Sequence, residues 1–341
     1  MLHLPRAPLL LAQFGLRAIW PAQLLGQGLF RTEEARALLA GLAAHSNLPL
    51  SALGSTAFGL VLGMAGHAVG WPFPKGGAGA ITQALADYLR DLGGTIETGR
   101  RVHSVDELPP SRTVVLNLTP RQVLRVARPR LPARYETQLT QYRYGAAAFK
   151  VDYALSDPIP WAAEACGRAG TVHVGGTLNE IAASERAVAQ GRVPERPYVL
   201  LAQHSRFDAT RAPGDQHTAW AYCHVPNGAT ADATAQVERQ IERFAPGFRD
   251  TILERHVMGP QALEAWNPNL VGGDINGGAL DLGQLIARPA LRWSPYRIPA
   301  RTARGAQLYM ASASTPPGGG VHGMAGRHAA HTVLADAGQD V

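Results

Sequence analysis

Three glycine-containing clusters stand out for the chemistry they could do. Near the C-terminus, Leu308–Met310 reads as a short apolar strand, a turn follows, and Gly318, Gly319 and Gly320 lead into the N-terminal turn of a last helix, Val321 to Met324. Glycines let a backbone come close to a ligand, and a helix start offers unpaired N–H groups at a positive dipole end. Together they suit an electron-rich or anionic ligand. The second cluster is Lys75-Gly76-Gly77, after Trp71-Pro72-Phe73-Pro74. Its lysine could reach an anion or sit in solvent. The third runs from Asn267 to Gly278 and contains Asp274. That carboxylate could face a ligand or bond its own backbone as a turn-forming Asp.

Other chemistries find less support. His328 and His331 are three apart on the last helix, but no third ligand lies near them in sequence, so no metal site is expected. Ser312 and Ser314 lack the G-x-S-x-G setting of a nucleophile elbow. No general base is evident, so the catalytic residues stay unassigned. Cys166 and Cys223 form neither a disulfide framework nor a C-x-x-C pair, which points to a reduced, cytoplasmic setting. Net charge is +6, carried almost wholly by arginine, with Lys75 and Lys150 the two lysines. The arginines between Arg121 and Arg143 are dispersed among Pro and apolar residues. No compact basic run marks a nucleic-acid surface.

The elements that must position these clusters can be read from periodicity. With 341 residues, 46% of them hydrophobic and 17% charged, the chain can bury a large core and form two domains. Residues 1–45 read as helical. Ala37–Pro74 contains no Asp, Glu, Lys or Arg, but Asn47, Pro49, Ser51, Ser55 and several glycines interrupt it. This favours buried or cavity-lining helices over a membrane span. No clean signal-peptide core appears in the first 30 residues. From Ala80, Ile81, Leu85, Tyr88, Leu89 and Leu92 share one helical face, and Gly93-Gly94 ends that helix. Strands are expected at Thr95–Glu97, Arg101–Val105 and Thr113–Leu118. From 121 to 265, strands at Ala146–Leu155, Gly170–Gly175, Tyr198–His204 and Thr218–Val225 interleave with helices at Asn179–Gln190 and Ala231–Phe244. That order suggests an α+β domain with a mostly antiparallel sheet.

Four segments, in this order, resemble one family. Gly70–Gly77 looks like its substrate-side Pro-x-Gly-Gly turn, and Gly93–Val102 like its glycine-led strand pair ending in valine. Asn267–Gly278 and the terminal glycine cluster complete the set. The family is the phytoene dehydrogenase-like FAD-dependent oxidoreductases, within the amine oxidase and carotenoid desaturase group. The resemblance implies an α/β plus α+β chain: an FAD/NAD(P)-binding, glutathione-reductase-like domain with an inserted substrate domain. The segments would be 1–74 (helical, substrate side), 75–120 (FAD domain), 121–265 (substrate domain) and 266–341 (loop and C-terminal FAD domain). It places the backbone of Val102 near the adenine of FAD. Gly318, Gly319, Gly320, Val321, His322, Gly323 and Met324 would lie near the pyrophosphate, ribityl chain and flavin ring. Lys75, Gly76, Gly77 and Asp274 would lie on the substrate side. The implied activity is hydride transfer from a small or lipophilic substrate to flavin N5. In this class, placing an apolar substrate against the flavin carries much of the effect.

The chain departs from the family pattern. Ser312 and Pro316 replace a usual Gly and His. The strand, G-x-G-x-x-G loop and helix that open the family's dinucleotide unit do not occur in this sequence. Gly77-Ala78-Gly79 comes nearest but lacks the third glycine. Met1 aligns well inside the pattern, so the dinucleotide-binding domain is expected to be incomplete by roughly 130–150 residues. FAD occupancy, a partner chain supplying that segment, and a peripheral membrane contact are left open. The alternative is a truncated, non-catalytic paralogue acting as a binding or partner module.

Overall fold

The computed structural model describes residues 7–339; the first six and last two residues of the expected segments 1–74 and 266–341 lie outside it. Two compact units form. One comprises Met1–Thr98, Ala148–Pro226 and Thr230–Gly259; the other comprises Gly99–Ala147, Asn227–Ala229 and Pro260–Val341.

The first unit opens with α1 (Pro8–Ala18), α2 (Ala22–Leu29), α3 (Glu33–Ala44), α4 (Ser55–Val69) and α5 (Gly79–Asp91). Thr32 starts α3 by accepting the Ala35 N–H at 3.3 Å, with Glu33 and Glu34 favourably placed in the positive first turn. No helix among the described residues is long and apolar enough to cross a membrane. The α5 helix ends as its sequence dictates, Gly93 taking φ 83° while the Gly94 N–H bonds the Leu89 carbonyl at 2.9 Å. Its apolar face stays open: Leu85, Tyr88 and Leu92 are each more than 60% exposed. Amphipathic periodicity therefore forecast the helix but not a covering neighbour.

The second unit takes the next stretch of chain, with β1 (Thr113–Leu116), α6 (Pro120–Ala127) and α7 (Ala133–Thr140). The chain then enters β2 (Ala147–Leu155), and the first unit continues with β3 (Thr171–Val174), α8 (Leu178–Ala189), β4 (Val199–Ala202), β5 (His217–Val225), α9 (Thr234–Glu242) and β6 (Ile252–Met258). Its five strands lie in the order β3-β4-β5-β2-β6, and β3/β4, β4/β5 and β2/β6 pair antiparallel. All four residues of β4 are buried, as expected of a short continuous apolar run. Thr177 and Glu180 form a reciprocal capping box at the start of α8. Ala40, Ala43, Ala44 and Leu50 pack with Leu178, Ile181 and Tyr198 in one apolar cluster. The charge-free helical segment thus builds core on α8.

The second unit resumes with α10 (Pro260–Trp266), α11 (Leu282–Ala287), β7 (Arg297–Arg301), β8 (Gln307–Met310) and α12 (Met324–Asp336). Its sheet order is β1-β8-β7, with β1 parallel and β7 antiparallel to β8. Leu116, Val123, Leu124, Tyr135, Leu139, Ile298, Leu308 and Met310 form its core. The central strand β8 is bonded on both sides, so its C-terminal end is a fixed launching point for the glycine loop.

The mixed α/β content agrees with the sequence reading, but two details differ. Thr95–Glu97 and Arg101–Val105 form no strand. Their alternation is genuine, but a strand needs a neighbour's ladder, and no described strand supplies one. Conversely β6 escapes a periodicity search: Leu253–His256 are all exposed, and Glu254, Arg255 and His256 blunt an edge strand.

Inside the first unit, His45 and His173 meet Nε2 to Nε2 at 3.0 Å, with the Tyr198 ring against both. One neutral ring must donate to the other, and the pair has no room for a second charge. Burial, then the neighbouring His173 and His224 rings, depresses His45 to about 3; burial depresses His173 to about 4. Both lie below the ordinary value of 6.5, so the unfolded chain binds more protons in between. Stability is therefore complete above pH 6.5 and declines as pH falls towards 4. Thermal unfolding should show Tm dropping already between about pH 6.5 and 5, where carboxylates of ordinary pKa near 4 remain ionised. His45→Asn should flatten that slope; an unchanged slope would refute the assignment.

Candidate functional site

The second unit gathers its polar chemistry at the C-terminal end of β8. Gly318 and Gly320 adopt φ 113° and 145°, backbone that side chains with a Cβ rarely take. A Cβ on Gly319 would come within 3.1–3.5 Å of the Asn276 backbone. The terminal loop therefore lies directly on the Asn267–Gly278 loop, and glycine is what permits that approach. Gly318 is buried, whereas Gly319, Gly320, Val321, His322 and Gly323 are exposed. The result is an open rim over an enclosed floor. At the start of α12, His322 Nδ1 accepts the Met324 N–H at 3.0 Å. The next first-turn N–H groups have no intrahelical acceptors.

Asp274 organises the floor. Its carboxylate is fully buried and accepts three backbone N–H groups: Gly145 at 2.8 Å, Asn276 at 2.7 Å and Gly278 at 2.8 Å. Burial raises its pKa, while those donors and the Arg288 charge pull it down. The bond to Asn276 is an Asx turn, so this carboxylate ties loops together rather than facing open space. One residue pair further on, the Gly277 carbonyl accepts the Ser314 hydroxyl at 2.6 Å and the Tyr142 hydroxyl at 2.8 Å. A Cβ on Gly278 would collide with the Tyr142 ring, so the tyrosine lies flat on the loop.

Arg288 is the residue that sequence reasoning missed. It is 1% exposed, and its Nη2 donates to the Tyr142 hydroxyl at 3.0 Å. Its Nε and Nη1 have no hydrogen-bond partner. Nη1 would be 3.1 Å from a Cβ on Gly318, which puts the guanidinium immediately beneath the glycine loop. A buried cation with idle donors is costly unless an acceptor completes it. Nothing in the local sequence Ile286-Ala287-Arg288-Pro289 distinguishes it from the chain's many surface arginines.

The other candidates fall elsewhere. Val102 is half-buried in the second unit, just ahead of the core residue Val105. His328 stacks at a tilt on Tyr296, with ring centroids 6.0 Å apart, and His331 accepts from Arg327. Ser312 and Ser314 are buried in the turn. Cys223 is buried and its thiol is pushed up to about 12, unsuited to nucleophilic work.

Lys75, Gly76 and Gly77 belong to the first unit. Lys75 is exposed, and the Gly76 N–H bonds Asp208 Oδ2 at 2.7 Å. Gly77 has φ 99°, and a Cβ there would overlap Arg211 Nη1. The turn is thus clamped from one side and leaves room for an arginine on the other.

No protein-family model matches the chain. Pyridine nucleotide-disulfide oxidoreductase domain-containing protein 2 of Rattus norvegicus is 29% identical over 305 residues, covering 78% of this chain and 51% of that protein. Its Mus musculus counterpart is 28% identical over the same shares. The chain spans about half the length of the curated relatives it matches. Among solved structures, an oxidoreductase from Methanosarcina mazei superposes with a TM-score of 0.62 at 15% identity, over 97% of this chain and 71% of that one. Putrescine oxidase bound to putrescine gives 0.55 at 16% identity, over 95% and 69%. Cyclohexylamine oxidase from Brevibacterium oxydans gives 0.52 at 14%, over 99% and 77%.

Because Asp274 holds three N–H groups at once, Asp274→Ala should strand them and lower stability by more than about 2 kcal/mol in urea unfolding. Ser314→Ala leaves Tyr142 on the Gly277 carbonyl and should cost only about 1 kcal/mol. Equal effects would show that Asp274 is not the organising group. From these likenesses, the chain has the fold of the oxidoreductases and amine oxidases, and its curated relatives are oxidoreductase-domain proteins.

Proposed function

We propose that this chain is part of an FAD-dependent oxidoreductase of the phytoene dehydrogenase-like kind, acting on a small or lipophilic substrate. The observation that carries the reading is the buried Arg288 guanidinium, with two idle donors, beneath a glycine loop that opens a helix. That donor set suits a flavin's electron-rich edge: one fixed positive charge, the N-terminal N–H groups of α12, and an exposed backbone at Gly319 and Gly320. The likeness to oxidoreductase-domain relatives supports the same class.

When bound, FAD supplies two-electron chemistry, accepting hydride from a substrate C–H bond. The chain's own residues would do three things. Gly318–Gly320 would keep the approach to the cofactor free of side chains. Arg288 and the α12 start would favour negative charge that develops on reduction. Asp274, Tyr142 and Ser314 would hold both loops rigid, so that these donors need not reorganise during the reaction. Val102 would lie on the adenine side, and Lys75, Gly76 and Gly77 on the substrate side. Proton transfer is assigned to no residue.

Purified protein should take up added FAD and show the flavin absorption band near stoichiometric occupancy. Arg288→Met should weaken FAD binding at least about tenfold, equivalent to about 1.4 kcal/mol. Without FAD its Tm should fall modestly, because Tyr142 loses its Nη2 donor and the Asp274 carboxylate a nearby positive charge. Protein that remains colourless with FAD in excess would overturn the flavin reading. A fall in Tm without FAD, with binding unchanged, would make Arg288 merely structural.

A further inference from the structure

The first unit contains a second concentration of unspent donors and acceptors, at a semi-enclosed cavity of about 270 Å³ beside the Lys75-Gly76-Gly77 turn. Phe73 and Trp220 provide its aromatic walls, and Phe207 backs Phe73 edge-on at 6.4 Å between ring centroids. Its polar lining is Thr171, His204, Asp208 and Arg211.

These groups differ in what they have left to offer. Asp208 is committed. Its Oδ2 takes the Gly76 N–H at 2.7 Å, and its Oδ1 takes the Thr210 hydroxyl at 2.7 Å and the Thr210 N–H at 3.1 Å. Arg211 is the reverse. Its main chain is engaged, the N–H with the Asp208 carbonyl and the carbonyl with the Thr218 hydroxyl. Its guanidinium rests against the bare Cα of Gly77 and makes no ion pair among the described residues. The cation is held by packing, with its fork of donors unspent.

The tautomer of His204 follows from proton counting. The Thr218 hydroxyl has one proton and gives it to the Arg211 carbonyl at 3.1 Å. With that proton assigned to the Arg211 carbonyl, the hydroxyl accepts from His204 Nε2, 2.9 Å away. The proton sits on Nε2, leaving Nδ1 a bare lone pair, and Nδ1 has no protein partner. Burial, then the Arg211 charge, lowers the His204 pKa, which keeps the ring neutral. Asp152 and Asp208 oppose this, and Lys150 reinforces it; Lys150 is itself paired with Asp152.

We infer that this cavity is a binding site for a small aromatic or conjugated carboxylate, its acid group on Arg211 and its flat body between Phe73 and Trp220. A guanidinium fork matches a carboxylate in geometry and charge. Aromatic walls reward a planar apolar body. The volume lies at the small end of ligand pockets, which limits the occupant to about one ring and a short side chain. The inference stands without the flavin reading.

The test titrates the full chain, with no flavin present, by calorimetry against 3-phenylpropionate and 2-phenylethylamine, two probes of similar body and opposite charge. The carboxylate should bind at least tenfold more tightly than the amine, and Arg211→Gln should remove that preference while circular dichroism stays unchanged. NMR contacts from the probe ring should fall on Trp220 and Phe73 in the unmodified protein, which locates the site even if the variant does not fold. Equal or tighter binding of the amine, no carboxylate binding at millimolar concentration, or probe contacts elsewhere would overturn the inference. Success or failure of FAD uptake has no bearing on this result.

Discussion

The second unit depends on one buried carboxylate. Asp274 carries negative charge into an interior that penalises it, and burial accordingly raises its pKa. Three backbone N–H groups, from Gly145, Asn276 and Gly278, make that placement tolerable. In meeting the carboxylate's demand they fix the path of two segments that are remote in sequence. Gly277 is then held where its carbonyl can receive both Ser314 and Tyr142. The terminal glycine loop can settle on Asn276 only because this lower loop is already rigid. A ligand-binding loop of mostly glycine has little rigidity of its own, since glycine surrenders the most backbone entropy on ordering. The order here is imposed from below by a network with few unmet partners.

Against that background the unmet partners carry meaning. Buried polar groups are nearly always satisfied, so the exceptions point to places where something external completes the bonding. Arg288 in one unit and His204 in the other are such exceptions. Each is surrounded by residues whose own bonds are complete. Tyr142 and Gly277 are saturated around Arg288, as Asp208 and Thr218 are around His204. Residual capacity is therefore present both at the glycine loop and at the aromatic cavity.

Local readings held where the physics is local. Gly93-Gly94 ends a helix because a left-handed residue closes its last turn, a matter of a few neighbouring residues. The helix read at Asn179–Gln190 likewise forms, as Leu178–Ala189, behind a Thr177–Glu180 capping box that spans four positions. Strands were legible only when their pattern coincided with a paired neighbour. Thr95–Glu97 has strand alternation and no ladder, while β6 has a ladder and an exposed, charged sequence.

The sequence by itself determined where a Cβ is missing and the backbone can be approached closely. Gly318–Gly320, Gly76-Gly77 and the Asn267–Gly278 run were visible because the absence of a Cβ is written in the residue type. What those approaches serve was decided by tertiary structure. Whether Asp274 meets solvent or three N–H groups depends on Gly145, over 100 residues away in the chain. Whether an arginine is a surface charge or a buried donor depends on what covers it, and no local pattern separates Arg288 from its exposed counterparts. Desolvation and hydrogen-bond satisfaction are properties of an assembled environment, and they become readable only once distant segments have been brought together.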